Sequence, residues 1–280
     1  MTTTHTPQPP IIVGYDGSEG AQQAVRWAAR YASVTGAPLS VVHCSVWPLL
    51  TDNLDPVEGI KDSGLQHEAE RVLTEGVSIA KQIAPLIRIT QRLLTGFPAK
   101  TLTDLSADAS MLVTGTRGLS GFAGLLVGSV SLHLASTATC PVMVVREEQS
   151  AYDKILVAVD GSPESDRAVL EAAVLARSLK QSLHILHVRS QGDQVGHGPA
   201  DEAQDSVLQQ AVDLVSTDPE LTVVQEVVVA RSTPGEIVER TDAASAVVLG
   251  AKGGNTLTTR LGSTVHAVLH HAHGNVLVVR

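Results

Sequence analysis

The chain is written twice. Ile11-Ile12-Val13-Gly14-Tyr15-Asp16-Gly17-Ser18 returns as Ile155-Leu156-Val157-Ala158-Val159-Asp160-Gly161-Ser162, 144 residues later. Ala28, Ala29 and Ala32 return at the same offset as Ala172, Ala173 and Ala176, and His43 as His187. Late in each half, Gly115 to Gly118 is echoed by Gly250-Ala251-Lys252-Gly253, and Gly128-Ser129 by Gly262-Ser263. Such a duplication admits only folds made of two copies of one supersecondary unit. Within each copy, short apolar runs alternate with stretches of helical spacing. That alternation predicts an open parallel sheet with helices on both faces, because β-α-β crossovers are right-handed.

In order, the pattern predicts a flexible tail over 1–10, a first domain over 11–146, a short polar linker over 147–154 and a second domain over 155–280. In the first domain, strands are expected over 11–16, 39–46, 87–94, 111–115 and 141–145. Ser18 is placed to cap a helix that Gly36 stops, and further helices are expected over 65–84, 99–107 and 129–136. The turn-rich stretch 48–64 reads as an excursion loop. In the second domain, strands are expected over 155–160, 183–188, 223–229, 246–250 and 275–279, with Pro234 opening a helix as Pro98 does. The fifth strand of each half, apolar and last in its repeat, reads as a sheet edge that would invite uncontrolled pairing if left bare.

Composition narrows the function. Apolar residues make up 43% of the chain and aromatics only 2%, so Val, Leu, Ile and Ala must fill the cores, as suits helices on a parallel sheet. The net charge of -9 and the lack of a basic run speak against nucleic acid and anionic membrane as partners. No apolar run approaches the length of a membrane span, and the first ten residues are rich in Thr and Pro without an apolar signal core. A soluble, cytoplasmic protein is expected. The two cysteines, Cys44 and Cys140, lie in or beside apolar strands and read as buried, reduced thiols.

The chemistry concentrates at Gly115, Gly118, Gly128 and Ser129, a G-x2-G-x9-G-S spacing between an apolar strand and a helix. Glycine lets a backbone turn sharply or approach a ligand closely, and the amides at a helix start form an anion site. The reading is a phosphate cradle at the carboxyl edge of the sheet; a purely structural turn is the alternative. Asp16 and Asp160 end the first strands opposite these loops. Each is read either as a ligand contact or as a turn and helix-capping residue. Arg117 and Lys252 lie inside the loops and either face phosphate charge or are solvated. If Gly118 holds a glycine-only backbone conformation, an added Cβ would spoil the cradle.

These features resemble the universal stress protein family in its tandem-domain form, over nearly the whole chain. The resemblance implies two tandem open parallel-sheet domains of the universal stress protein, adenine nucleotide alpha hydrolase-like type. It also implies ATP as ligand; Mg2+ is a candidate companion, since it often bridges phosphates. Gly14 and Asp16 would lie near the adenosine. Gly115, Thr116, Arg117, Gly118, Leu119, Ser120 and Gly121 would wrap the phosphates, with Gly128, Ser129 and Val130 at the helix start. Ala158, Asp160, Gly250, Lys252, Gly253, Gly262, Ser263 and Thr264 would be their counterparts. The second half departs from the pattern: eight residues, not nine, separate Gly253 from Gly262, and Ala158 replaces Gly14. A weaker second site is expected. The resemblance also implies that the fifth-strand edges pair between domains, so a pseudo-twofold association of the two halves is expected, with a further homodimer.

Other candidates carry less. His43 and His187 read as strand histidines with satisfied polar contacts. His266 and His270, one helical turn apart, lack a third metal ligand at a defined spacing, so no metal site is assigned. Gly-Lys-(Ser/Thr) is missing, which argues against a P-loop, and so is G-x-G-x-x-G after the first strand, which argues against a dinucleotide oxidoreductase. No catalytic residue is assigned. A nucleotide-binding regulator of a stress response is the leading reading; a weak ATPase or another nucleotide-dependent enzyme is the alternative.

Overall fold

The computed structural model describes residues 8–46, 63–116, 118, 127–148, 151–190, 205–253 and 261–280. Arg117, Leu119, Ser120 and Gly121 of the first loop, most of the excursion over 48–64 and the threonine-rich 255–260 lie outside these residues.

The first half runs β1 (Ile11–Gly14), α1 (Glu19–Thr35), β2 (Leu39–Ser45), α2 (Ser63–Ile83), β3 (Ile89–Thr95), α3 (Pro98–Leu105), β4 (Met111–Gly115), α4 (Ser129–Thr137) and β5 (Val142–Val145). The second repeats it: β6 (Lys154–Val159), α5 (Pro163–Leu179), β7 (Ser182–Ser190), α6 (Ser206–Asp213), β8 (Val223–Ala230), α7 (Thr233–Arg240), β9 (Ala246–Gly250), α8 (Ser263–His271) and β10 (Asn275–Val279). Helix α6 is an element the periodicity did not single out. It has only eight residues, too few for an apolar stripe to repeat more than twice.

All ten strands join in one sheet, in the order β3-β2-β1-β4-β5-β10-β9-β6-β7-β8. Pairing is parallel within each half. At the centre, β5 and β10 pair antiparallel, with Val144 opposite Val276 and Met143 opposite Leu277. The expected association of the halves is therefore a shared sheet. Asn275 stitches the junction: its Oδ1 accepts from Arg146 N–H at 2.8 Å and Glu147 N–H at 3.1 Å.

Alternation along each strand divides the core between two faces. Ile11 and Val13 face the layer that holds Ala24, Ala28 and Ala32 of α1 and Ala172 and Ala176 of α5. Ile12 faces the opposite layer, with Leu134 of α4 and Leu269 of α8. The central strands β4, β5 and β10 are buried along their whole length, whereas four consecutive residues of edge strand β3 are exposed. Small alanines bring α1 and α5 close to the sheet, which is how a chain poor in aromatics still packs densely.

Local signals set the helix ends that matter for the site. Ser18 accepts from Ala21 N–H at 3.2 Å and Ser162 from Ser165 N–H at 3.2 Å, each cap contributing about 1 kcal/mol. Gly36 ends α1 in the left-handed conformation, φ 70°. Helices α4 and α8 begin instead on Gly128 and Gly262. Glycine has no side chain, so their first-turn N–H groups lack the capping oxygen that α1 and α5 receive.

Candidate functional site

Strand order reverses between β1 and β4, and again between β6 and β9. In open α/β sheets a crevice lies beyond the carboxyl ends of such strands. Each half has one. The first cavity measures about 570 Å³ and the second about 260 Å³. Pockets for small molecules and cofactors run from about 300 to 1,000 Å³. The first falls inside that range and the second below it.

The first cavity gathers Gly14, Asp16, Gly115, Gly118, Gly128, Ser129 and Val130 from the positions singled out in the sequence. The second gathers Ala158, Asp160, Gly250, Lys252, Gly253, Gly262, Ser263 and Thr264. Thr116 contributes its backbone, its carbonyl accepting from Gly128 N–H at 2.5 Å. In the second half Ala251 O accepts from Gly262 N–H at 2.8 Å. Each bond fastens the start of the helix to the exit of the preceding strand.

Asp16 serves the turn and also faces the cavity. Its Oδ1 accepts from Ser18 N–H at 3.0 Å and Ser18 Oγ–H at 2.6 Å, across a left-handed Gly17 at φ 84°. Its Oδ2 lies where a Cβ on Gly118 would be. Asp160 repeats this: Oδ1 holds Ser162 at 3.1 and 2.5 Å, and a Cβ on Gly253 would come within 2.5 Å of Oδ2. In both halves one carboxylate oxygen builds the turn while the other meets the glycine loop.

The glycines divide the work. A Cβ on Gly115 would strike the Gly20 carbonyl, and one on Gly250 would lie 2.8 Å from the Glu164 carbonyl carbon. These glycines let the fourth strand end against the first turn of α1 or α5. Gly118 makes room beside Asp16, since a Cβ there would meet its carboxylate. A Cβ on Gly14 would sit 3.1 Å from Leu102 Cδ1, at the apolar end of the first cavity. Ala158 carries that methyl in the second, beside Ile237.

Several lining residues were not singled out as site residues. Val42, His43 and Cys44 end β2, Pro98 and Leu102 come from α3, and Thr114 and Ser131 lie beneath the start of α4. His43 Nδ1 is 2.8 Å from Tyr15 O. A carbonyl only accepts, so Nδ1 holds the proton and Nε2 of the neutral ring is an acceptor. Burial pushes the Cys44 thiol up to about 11, so it is a wall of the cavity and a poor nucleophile. Ser131 Oγ donates to Gly115 O at 2.8 Å, tying α4 to the end of β4. Position on β2 and helical register would have flagged these residues only once the strand order was known.

The strand histidines differ between the halves. His187 Nδ1 is 2.9 Å from both carboxylate oxygens of Asp205, the N-cap of α6. Burial works against the charged carboxylate, but the Leu208 N–H and His187 outweigh it and hold Asp205 below its usual range. His266 and His270 stand with ring centroids 4.5 Å apart. Among the described residues, no three His, Cys, Asp or Glu side chains gather as a metal site. Among them too, no helix is long and apolar enough to cross a membrane.

The universal stress protein family model matches residues 9–146 and again 151–280. The universal stress protein Rv2623 of Mycobacterium tuberculosis is 30% identical over 288 residues, covering 96% of each chain. A universal stress protein of Mycolicibacterium smegmatis is 30% identical over 290 residues, again covering 96% of each. Among solved structures, a universal stress protein from Archaeoglobus fulgidus superposes with a TM-score of 0.73 at 23% identity, covering 97% of this chain and 98% of that one. That likeness is one of fold.

Proposed function

The chain belongs to the universal stress protein family, and from that premise we propose that it is an ATP-binding regulator of a stress response, with its stronger nucleotide site in the first domain. The observation that carries the reading is the start of α4. Gly128 opens the helix, and its first turn, Ser129 to Ser131, lines a cavity of about 570 Å³ across from Asp16. A helix start without a side-chain cap attracts phosphate through its amides and dipole. The other end of the cavity is apolar, built by Val42, Pro98 and Leu102, and suits a base.

In this reading Gly118, Gly128, Ser129 and Val130 cradle the triphosphate, with Arg117, Leu119, Ser120 and Gly121 completing the loop. Asp16 Oδ2 accepts from a ribose hydroxyl, and Mg2+ bridges the phosphates. The second domain, 155–280, holds the weaker site. The protein works in the cytoplasm as a homodimer of two-domain chains. Calorimetric titration of nucleotide-free protein with ATP tests the binding: a saturable isotherm is expected, and folded protein that ignores millimolar ATP ends the proposal. Denaturing the purified protein and identifying the released small molecule tests the same point without added ligand. Light scattering tests the dimer, and a monomer mass at every concentration rejects it.

A further inference from the structure

Helix α3 breaks a rule that its counterpart obeys. At the N-cap of α7, Ser232 Oγ accepts from Gly235 N–H at 3.2 Å. At the N-cap of α3 stands Phe97, which has no capping oxygen, in an extended conformation a serine would adopt equally well (φ -71°, ψ 125°). Replacing a cap by an apolar residue leaves a first-turn N–H without its acceptor and weakens the helix start. The phenyl group recovers little of this by burial, being 62% exposed. Isolated surface apolar residues need no explanation. This one stands where a cap belongs, in a chain with only two phenylalanines. It directly precedes Pro98, which with Leu102 and Val42 lines the apolar end of the first cavity. Local rules are broken most often at functional positions.

We infer that the Phe97 ring is the aromatic face on which the ligand's nucleobase stacks, so that Phe97 sets the affinity of the first cavity for a planar heteroaromatic base. The inference rests on the nucleotide reading above and adds a residue outside the glycine cradle. With the phosphates at the start of α4, the base reaches the Val42, Pro98 and Leu102 end, beside Phe97. Gly96 precedes it at φ 154°, where a Cβ would collide with Thr101 Oγ1, so the chain enters α3 by a path only glycine allows. That path sets residue 97 one position before Pro98, which lines the cavity. The exposed ring is free to turn about χ1 toward a bound base and to exclude water from its face. Stacking of this kind is tolerant among purines, since every base presents a π-face.

The test titrates ATP into the full-length protein and into F97A, F97S and F97Y, with thermal melting to establish folding. We expect F97A and F97S to weaken ATP binding about ten-fold, the lower part of the range for base–aromatic stacking, and F97Y to keep the original affinity. F97S is expected to melt about 2 °C higher, because serine restores the cap that Ser232 provides in α7. ATP affinity unchanged in F97A and F97S overturns the stacking role while leaving nucleotide binding intact. An F97Y variant as weak as F97A overturns it also. A full-length protein that binds no ATP removes the nucleotide reading and this inference together.

Discussion

At the residue scale, one glycine motif performs two jobs that substitution can separate. Gly115 makes room for backbone: a Cβ there meets the Gly20 carbonyl, and helix α1 would have to shift. Gly118 makes room for a side chain, since a Cβ there meets the movable carboxylate of Asp16. Gly115→Ala is expected to cost about 1–3 kcal/mol of stability, as overpacking of a dense core does. Thermal or urea unfolding reads this directly, and a melting point equal to that of the parent protein would contradict the packing role. Gly118→Ala is expected to leave stability within about 0.5 kcal/mol and to weaken ATP, because the displaced carboxylate turns away from the ligand. The spacing of Gly115, Gly118 and Gly128 was legible in the sequence, but the separate reasons were not. Spacing locates a glycine along the chain and says nothing of what lies opposite its Cα. The Gly20 carbonyl and the Asp16 carboxylate arrive there only through the packing of α1 against β4.

At the element scale, helix ends set the asymmetry between the glycine-opened helices α4 and α8 and the serine-capped helices α1 and α5. The serine caps of α1 and α5 were readable from Asp-Gly-Ser, because a cap lies within three residues of its partner. The hydrogen bond between His187 and Asp205 was not, since eighteen residues separate the two and α6 shows little periodicity. Asp205 ties α6 to β7, and its depressed folded pKa fixes the sign of a pH effect. The stabilisation is fully present above the unfolded carboxylate value of about 3.9 and is lost as pH falls through the folded value. Asp205→Asn keeps a capping oxygen and removes the charge, so its stability is expected to fall less steeply in acid than that of the parent. Parallel acid-unfolding curves for the two would refute this. Arg146 is the corresponding device at the junction. Its guanidinium donates to Leu269 O at 2.5 Å and Gly274 O at 3.3 Å, closing the carboxyl end of α8 from the other half. Burial brings its pKa down to about 10, which leaves it charged at neutral pH. Arg146→Ala is expected to destabilise the protein by about 1–3 kcal/mol through the carbonyls left unpaired. Denaturant unfolding reads the loss.

At the scale of the molecule, duplication gave one sheet with two unequal crevices. The repeat made the topology of each half legible, and the family resemblance implied that the apolar fifth strands would pair between the halves. The continuous ten-stranded order and its antiparallel centre needed the structure, because nothing in β5 or β10 states which way a partner strand runs. Pseudo-symmetry would give two equal cavities, yet one is about 570 Å³ and the other about 260 Å³. Ala158 in place of Gly14 adds a methyl to the lining of the second, and the interval from Gly253 to Gly262 is one residue short. A nucleotide needs both ends at once, the amides of a helix start for phosphate and an apolar slot for its base. The first domain is therefore expected to hold ATP at concentrations that leave the second empty. Gly118→Ala combined with Gly128→Ala is expected to remove about 1–3 kcal/mol of binding free energy from the first site, as loss of charged hydrogen bonds does. The same pair of changes at Gly253 and Gly262 is expected to matter less, since a Cβ on Gly262 finds its nearest neighbour at 3.5 Å and the site starts weaker. Ala158→Gly should move the second site toward the first by opening its apolar end. Site-resolved occupancy, from crystals grown at stepped ATP concentrations or from NMR shifts assigned to each half, measures all three. Equal occupancy of the two cavities, with equal losses in the paired variants, would show that cavity size does not govern selection between the halves.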